Sequence, residues 1–367
     1  MVWSMKDVTK RLDKVFENSK NDAIVIMNTG NMDSNFKYLT GFSGGLFEQC
    51  ILIAERKRTK LLVSKLEYGI AKSQKPKGMD LIEVERAREV WNDFHGILKN
   101  KRVGFNAGFL PYAYYMAMKK HSPGSKFSDS TESFENARVV KDADEINAIR
   151  KASNIVKKAL SQIEEYFKEG MTEKQLAMQF DYLMAEAGAD EPSFESIVSF
   201  DKNAALPHHM PDETKLRGNS IVLLDVGAKY ANYCSDVTRS FMFKPDKSSS
   251  KYKRIMDMYK TVEGAQEAAR NAAVEGALGS AVHDAAARFI DRASNGIYKG
   301  TFIHSLGHSI GLDVHDSMKF ALAPKMNFKL KRNMVFSDEP GIYIPGFGGI
   351  RLEDDILITG SGPAKVL

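Results

Sequence analysis

Cysteine and long apolar runs are both scarce in this chain. Its two cysteines, Cys50 and Cys234, are too few for a disulfide framework and are typical of proteins from a reducing compartment. No apolar run approaches the roughly 18 residues that a membrane-spanning helix needs. Residues 1–14 mix both signs of charge and lack the apolar segment of a secretory signal. We therefore expect a cytoplasmic protein with no membrane partner.

The chain also carries little excess charge of either sign. Its 52 Lys and Arg residues against 47 Asp and Glu residues give a net charge of +5, which is weak for a chain of 367 residues. The basic stretches at 55–60 and 98–102 are typical of solvated turns. We therefore expect no nucleic-acid partner.

Length and composition predict two globular domains. The 367 residues exceed the usual size of one domain, and 43% apolar with 27% charged residues is an ordinary globular balance. The strongest composition break is the stretch 122–133, which is rich in Ser, Gly, Pro and Asp. We expect a smaller α/β domain over residues 1–135. Over residues 140–367 helices and strands do not alternate strictly, which predicts an α+β domain.

Hydrophobic periodicity places the main helices and strands. A long amphipathic helix is expected from about Asp142 to Lys168, stopped by Gly170, and Thr172-x-x-Gln175 is a capping box that opens another helix. Further helices are expected at 111–121, 250–273 and 278–294, and strands at 23–27, 50–54, 61–63, 102–106, 197–200, 220–226, 234–243, 334–336 and 351–359.

Four acidic residues interrupt or end strand-like apolar runs in the second domain: Asp225, Asp236, Glu339 and Glu353. Taken singly, each is more typical of a surface or salt-bridged residue. If they converged, each close pair would repel by up to a few kcal/mol, at about 4 Å and an effective dielectric constant near 20. Two divalent cations would cancel their formal charge. The spacing alone does not require convergence.

Five of the eight histidines fall in two clusters. His208 and His209 follow Pro207, and His304, His308 and His315 lie within twelve positions that also contain glycines. The glycines favour a strand or loop whose backbone approaches a site closely. Metal binding or acid–base chemistry is as consistent with this second cluster as a structural role. The isolated His95, His121 and His283 are interpreted as structural.

Motifs of other enzyme classes are missing from the chain. It contains no His-Glu-x-x-His helix, no Gly-x-Ser-x-Gly turn and no cysteine pair at zinc-binding spacing. The glycine-rich stretch 346–349 lacks a following Lys-Ser/Thr, which disfavours a phosphate-binding loop. The two cysteines are interpreted as small apolar residues.

The ordered polar residues resemble the pita-bread metallopeptidases, the family of methionine aminopeptidase, aminopeptidase P, prolidase and creatinase. The resemblance covers about residues 140–367, and the segment 35–42, NFKYLTGF, resembles the smaller N-terminal domain of the branch that cleaves Xaa-Pro bonds. Matching stretches occur in the same order at 207–209, 223–241, 304–316, 337–343 and 349–355.

The resemblance implies a metal site with five ligands. Asp236 and Glu353 correspond to carboxylates that bridge two metals. Asp225 completes the coordination of one metal, and His308 with Glu339 completes the coordination of the other. Glu339 would also act as a proton shuttle. His208, His304, His315 and Arg351 correspond to substrate-contacting residues of the family, and His315 or His304 would stabilise the oxyanion.

Two divalent metal ions are therefore the expected cofactors. They would share a water and lower its pKa, which generates a metal-activated hydroxide for attack on the peptide carbonyl. An oxygen-rich ligand set with one imidazole favours manganese or cobalt, and iron or zinc is also compatible.

The expected activity is hydrolysis of the peptide bond before proline, with Xaa-Pro dipeptides as the first choice of substrate. Aminopeptidase P activity on longer peptides is the alternative, and a non-catalytic peptide-binding module is a weaker one because all five ligands are retained. The same retention argues against creatinase activity. The family also implies a homodimer. Two positions depart from the branch: Ser309 stands where glycine is common, and Asp316 where glutamate is common. Altered packing or substrate preference is expected from them.

Overall fold

The computed structural model describes residues 8–17, 19–30, 32–85 and 90–367. These residues divide into two compact units, one ending at Arg138 and the other beginning at Val139. Residues 1–7, half of the N-terminal segment considered above, lie outside the described residues. Within the described part of the chain, no helix combines the length and apolar character needed to cross a bilayer.

The first unit is built on one mixed sheet of six strands in the order β4-β3-β2-β1-β5-β6. The strands β1–β3 are antiparallel neighbours, whereas β4 pairs with β3, β5 with β1 and β6 with β5 in parallel. The elements are α1 (Thr9–Phe16), β1 (Ala23–Met27), α2 (Ser34–Thr40), β2 (Ile51–Glu55), β3 (Arg58–Ser64), α3 (Lys65–Gln74), β4 (Met79–Val84), α4 (Val90–Leu98), β5 (Arg102–Phe105), α5 (Tyr112–His121), β6 (Lys126–Asp129) and α6 (Thr131–Val139).

Burial explains which of these elements the sequence predicted. All five residues of β1 are buried in the sheet, so its apolar run is continuous and the predicted strand is confirmed. The polar stretch 122–133, by contrast, contains β6, whose residues are mostly exposed at the edge of the sheet. An exposed edge strand carries polar side chains and therefore looks like a loop in sequence.

The second unit contains four long helices, three of which begin at a side-chain cap. Asp142 and Glu145 form the capping box of α7 (Ala143–Ile163), and the predicted box of Thr172 and Gln175 caps α8 (Glu173–Ala187). The predicted extension of the first helix to Lys168 is wrong, because a 3₁₀ turn follows Ile163. The other two helices are α9 (Ser250–Ala272) and α10 (Gly279–Ala293), as predicted to within one residue at either end.

Short antiparallel sheets complete the second unit, and two predicted strands are each split in two. The breaks leave Asp236 and Glu353 outside the regular ladders, next to strand ends. The strands are β7 (Glu191–Pro192), β8 (Ile197–Phe200), β9 (Ser220–Val226), β10 (Ala228–Tyr230), β11 (Tyr233–Cys234), β12 (Val237–Phe243), β13 (Gly307–His308), β14 (Ala321–Leu322), β15 (Val335–Asp338), β16 (Gly341–Ile344), β17 (Gly348–Arg351), β18 (Asp354–Leu357) and β19 (Lys365–Val366).

Strand β9 separates two apolar clusters. Ile221 and Leu223 pack in the cluster that contains residues of α9 and α10, whereas Val222 and Leu224 pack in the cluster that contains residues of α7 and α8. Since side chains alternate along a strand, Asp225 lies on the same face as Ile221 and Leu223. Its cross-strand partner on β12 is Thr238.

Candidate metal centre

The structure brings three of the predicted ligands into one buried cluster. Asp236, His308 and Glu353 each present one ligand atom, and these atoms lie within 4.8 Å of one another. Nε2 of His308 is 3.5 Å from Oδ2 of Asp236 and 3.5 Å from Oε1 of Glu339. Glu339 therefore belongs to the same cluster, although it comes from the end of a different strand.

Arg351 connects Asp225 to this cluster. The guanidinium donates from Nη2 to Oδ2 of Asp225 at 2.6 Å, from Nε to the hydroxyl of Thr238 at 3.0 Å, and from Nη1 to the hydroxyl of Tyr343 at 2.8 Å. Arg351 is only 2% exposed. Burial raises the pKa of Glu353, and the charges of Glu339 and Asp225 raise it further, as expected for carboxylates that share a site.

Close backbone packing places His308 against β15, the strand that ends just before Glu339. A Cβ on Gly307 would lie 2.0 Å from the carbonyl oxygen of Ser337, so only glycine permits this approach, as the sequence indicated. The amide of His308 donates to Oγ of Ser337 at 3.0 Å, and the same hydroxyl donates to Oε1 of Glu339 at 3.2 Å. One serine thus fixes two of the predicted ligands.

Several polar residues that sequence reasoning missed support the carboxylates. The hydroxyl of Thr238 donates to Oε2 of Glu353 at 2.5 Å. The carboxylate of Asp355 accepts the backbone N–H of Asp236 at 3.3 Å and the hydroxyl of Ser153. Hydroxyl residues in strands and helices are common, so no signal in the sequence singled them out. Asp355 is the exception, because it is the third of three consecutive acids at 353–355 and so stands out in the sequence.

Burial and mutual repulsion perturb the acids of the cluster. The pKa values of Asp236 and Glu353 are raised well above the ordinary range, first by burial and then by neighbouring carboxylates. Burial also raises the pKa of Glu339 to about 8. These shifts mean that the charged forms of the three acids are strongly disfavoured without a compensating cation.

The donor set fits a pair of divalent cations. Oδ1 of Asp225 and Oδ1 of Asp236 are buried and have no hydrogen-bond partner among the described residues, which leaves lone pairs free for a metal. Burial lowers the pKa of His308 to about 3, so its imidazole is neutral and able to ligate. Four carboxylates with one imidazole suit manganese or cobalt.

The remaining predicted histidines surround the cluster. Nδ1 of His304 lies 2.7 Å from the carbonyl oxygen of Ser305, so it must donate, and Nε2 accepts from the hydroxyl of Tyr343 at 2.8 Å. The exposed ring of His315 lies 4.1 Å from that of His308, centroid to centroid. His208 is exposed; burial lowers the pKa of both His304 and His315, and the nearby charge of His208 lowers each of them further.

A second group of potential ligands, Glu173, His209 and Asp212, is explained by hydrogen bonds. Glu173 is fully buried and accepts from Nε2 of His209 at 2.8 Å and from the amides of Phe200 at 2.6 Å and Asp212 at 3.0 Å. The side-chain amide of Asn203 donates to it at 3.0 Å. This carboxylate therefore anchors the loop that carries His208.

The histidines interpreted as structural make ordinary contacts. Nδ1 of His95 lies 2.9 Å from the carbonyl oxygen of His121, whose ring stacks on Trp91. Nδ1 of His283 accepts the amide of Leu306 at 3.2 Å. None of these three rings lies in the ligand cluster described above.

Two parts of the chain match known families. Residues 147–360 match Metallopeptidase family M24, and residues 9–140 match the Creatinase/Prolidase N-terminal domain. The chain therefore belongs to metallopeptidase family M24, and the predicted combination of a pita-bread catalytic domain with a smaller α/β domain is confirmed. It is a hydrolase of a metal-dependent peptidase family, and its substrates are peptides.

Relatives with two different names are similar over nearly their full length. The chain is 30% identical to the Xaa-Pro dipeptidase of Pyrococcus furiosus over 99% of this chain and 98% of that protein. Among solved structures, an Xaa-Pro dipeptidase from Bacillus anthracis gives a TM-score of 0.85 at 28% identity and covers 98% of this chain and 96% of its own. An X-Pro aminopeptidase from Thermotoga maritima gives 0.84 at 28% identity, with 96% and 97% covered.

Proposed function

We propose that this protein is a dinuclear-metal-dependent peptidase that hydrolyses the bond preceding proline, with Xaa-Pro dipeptides as preferred substrates. The observation that supports it most is the convergence of Asp236, His308 and Glu353, with Glu339 at 3.5 Å from the imidazole. The similarity to proteins named Xaa-Pro dipeptidase over nearly the whole chain supports the substrate class.

Five residues are proposed to hold two divalent cations. Asp236 and Glu353 would bridge them, Asp225 would complete one site, and His308 with Glu339 would complete the other. Manganese or cobalt suits this set best, and zinc or iron is also compatible. Bound cations supply a Lewis acid for the peptide carbonyl and lower the pKa of a water toward neutrality.

The protein's own groups are proposed to move protons and stabilise charge. Glu339, whose Oε1 lies 3.5 Å from Nε2 of His308, is proposed to take a proton from the attacking water and return it to the leaving nitrogen. Both ring nitrogens of His304 are engaged by Ser305 and Tyr343, whereas the ring of His315 is exposed. This difference favours His315 as the group that stabilises the oxyanion and gives His304 a role at the substrate-facing wall.

The substrate is proposed to lie along the exposed histidines. The charge of His208 acts on both His304 and His315, so His208 lies near them and would contact the peptide. All three nitrogens of Arg351 already donate to protein groups, so we propose that it acts on the substrate mainly by orienting Asp225.

Aminopeptidase P activity is the second candidate, because the similarity to the X-Pro aminopeptidase of Thermotoga maritima is nearly as extensive. The non-catalytic alternative has less support, since all five candidate ligands are retained. The homodimer, the cytoplasmic location and the domain ranges 1–135 and 140–367 stay predictions of the sequence.

A substrate panel separates these candidates. The metal-depleted protein is reloaded with manganese, cobalt, zinc or iron and assayed on an Xaa-Pro dipeptide, an Xaa-Pro-Yaa tripeptide and a proline-free dipeptide. We expect hydrolysis mainly of the Xaa-Pro dipeptide, and its loss in Asp236→Asn. A preference for the tripeptide indicates aminopeptidase P. If none of the four metals supports hydrolysis of any peptide, the enzymatic proposal is wrong.

A further inference from the structure

The segment 309–317, called the histidine loop below, begins directly after His308 and contains His315. Its two ends are joined by Ser309: the hydroxyl accepts the amide of Ser317 at 2.9 Å and donates to the carbonyl oxygen of Ser317 at 3.1 Å. The carbonyl oxygen of Ser309 also accepts the amide of Asp316 at 2.9 Å. A glycine at position 309 would keep the backbone bond and lose both hydroxyl bonds.

A buried ion pair holds the same loop at Asp316. Nζ of Lys141 lies 2.8 Å from Oδ2 of Asp316, and the two side chains are 1% and 2% exposed. The other carboxylate oxygen accepts the amide of Asp313 at 3.3 Å. A Cβ added to Gly311 would lie 2.5 Å from the carboxylate of Asp316, so the carboxylate packs directly on the glycine backbone.

These contacts flank one exposed ring. Asp316 and Ser317 are buried, whereas the neighbouring His315 is exposed with its ring 4.1 Å from that of His308. Burying a charged pair is costly, and such pairs often contribute little net stability. The pair nevertheless fixes the position of the neighbouring His315, whether or not it adds net stability.

We propose that Lys141, Asp316 and Ser309 form a clamp that positions His315 beside His308, and that they are positioning residues for the peptidase reaction. This inference rests on the proposed function through the role of His315. It also assigns a role to the two departures from the family pattern, Ser309 and Asp316, which act on the same loop from opposite ends.

A double-mutant cycle with His315 tests the clamp. Lys141→Met/Asp316→Asn removes both charges together, so that neither is left buried alone. Ser309→Gly removes only the hydroxyl.

With His315 present, we expect kcat/KM to fall by about 10-fold or more for the charge-free pair and less for Ser309→Gly. In a His315→Ala background, neither change should lower kcat/KM further by more than about twofold. Equal losses in both backgrounds would overturn the clamp, as would an unchanged kcat/KM with His315 present.

Hydrogen exchange of the metal-free protein gives a readout that does not depend on activity. In Ser309→Gly the amide of Ser317 should exchange at least about 10-fold faster, and in the charge-free pair the amides at positions 316 and 317 should both do so, while the core amides of β9 stay protected. The control pair Lys174→Met/Glu213→Gln removes an exposed ion pair of 3.0 Å and should leave the loop unchanged. Unchanged exchange in the clamp variants contradicts the inference. If the wild type hydrolyses no peptide but the loop amides respond, the proposed function fails and the positioning of the loop stands.

Discussion

Thr238 donates its hydroxyl proton to Oε2 of Glu353 across 2.5 Å. The same hydroxyl accepts Nε–H of Arg351 at 3.0 Å, and Thr238 is the cross-strand partner of Asp225. One small side chain thereby links a proposed bridging ligand, the buried arginine and the strand that carries another proposed ligand. Hydrogen-bond partners of metal ligands commonly control both metal affinity and activity.

Replacement of Thr238 should therefore weaken the metal site without unfolding the protein. We expect Thr238→Val to lower metal affinity and kcat/KM by about 10- to 100-fold, because the shape is kept while the hydroxyl is lost. Thr238→Ser keeps the hydroxyl and should stay within a few-fold of the wild type. Calorimetric metal titration and peptide hydrolysis check both variants. Equal behaviour of the valine and serine variants would contradict the role of the hydroxyl.

Arg351 should matter most when no metal is bound. Its buried guanidinium is the hydrogen-bond partner of Asp225 at 2.6 Å, and bound cations would take over part of this charge compensation. We expect Arg351→Met to lower the free energy of unfolding of the metal-free protein by about 3–5 kcal/mol. Saturating metal should restore part of that loss.

Urea unfolding with and without metal measures the effect of Arg351→Met. Lys244→Met is a suitable control because its ion pair with Glu169 is solvent-exposed, and it should change stability by less than about 0.5 kcal/mol. A larger loss in the metal-bound than in the metal-free protein would show that Arg351 does not compensate the carboxylates.

The sequence identified the chemistry of the site more completely than its geometry. The four acids Asp225, Asp236, Glu339 and Glu353 stood out in apolar runs, and His308 joined them as a proposed ligand through the resemblance to the pita-bread metallopeptidases. Their convergence was not readable, because it depends on how separate strands of the second unit pair.

The same limit applies to the fold. The strands Ile197–Phe200 and Ser220–Val226 were predicted with the bounds that the structure has, since their apolar runs fill a buried sheet. The edge strand Lys126–Asp129 and the hairpin of β16 and β17 were missed. Exposure removes the apolar pattern from the first, and glycines dilute it in the second.

We expect Asp338 to give the protein an unusual pH dependence of its stability. It is fully buried, both carboxylate oxygens lack a hydrogen-bond partner among the described residues, and Nη1 of Arg270 lies 4.0 Å away. Burial raises its pKa well above the usual range. The unfolded chain therefore releases this proton at a lower pH than the folded protein does. Above about pH 4, this group's contribution to stability falls as pH rises, until the folded-state pKa is reached.

Asp338→Asn removes this titration. We expect the variant to be more stable than the wild type by about 1–3 kcal/mol at pH 8, and by less at pH 5. Urea unfolding of the metal-free proteins at the two pH values checks it. A difference in stability that is constant between pH 5 and pH 8 would mean that the carboxyl does not titrate abnormally.

Glu173 should be essential for the loop that carries His208. It accepts four hydrogen bonds, including one from His209, and a glutamine would place an N–H group against some of these donors. We expect Glu173→Gln to cost about 2–4 kcal/mol of stability. The nearby, exposed Glu213 offers a matched control, and Glu213→Gln should have an effect below about 0.5 kcal/mol. Urea unfolding compares them, and similar effects of the two variants would contradict the anchoring role.

Calorimetric titration of the chelator-treated protein with manganese or cobalt measures whether the five candidate ligands hold two metal ions. We expect two bound ions per chain for the wild type. We expect the loss of at least one ion in Asp236→Asn and in Glu353→Gln, while both variants stay folded by circular dichroism. Failure of the wild type to bind either ion, or unchanged binding of both ions in the two variants, would contradict the proposal that these acids hold the metals.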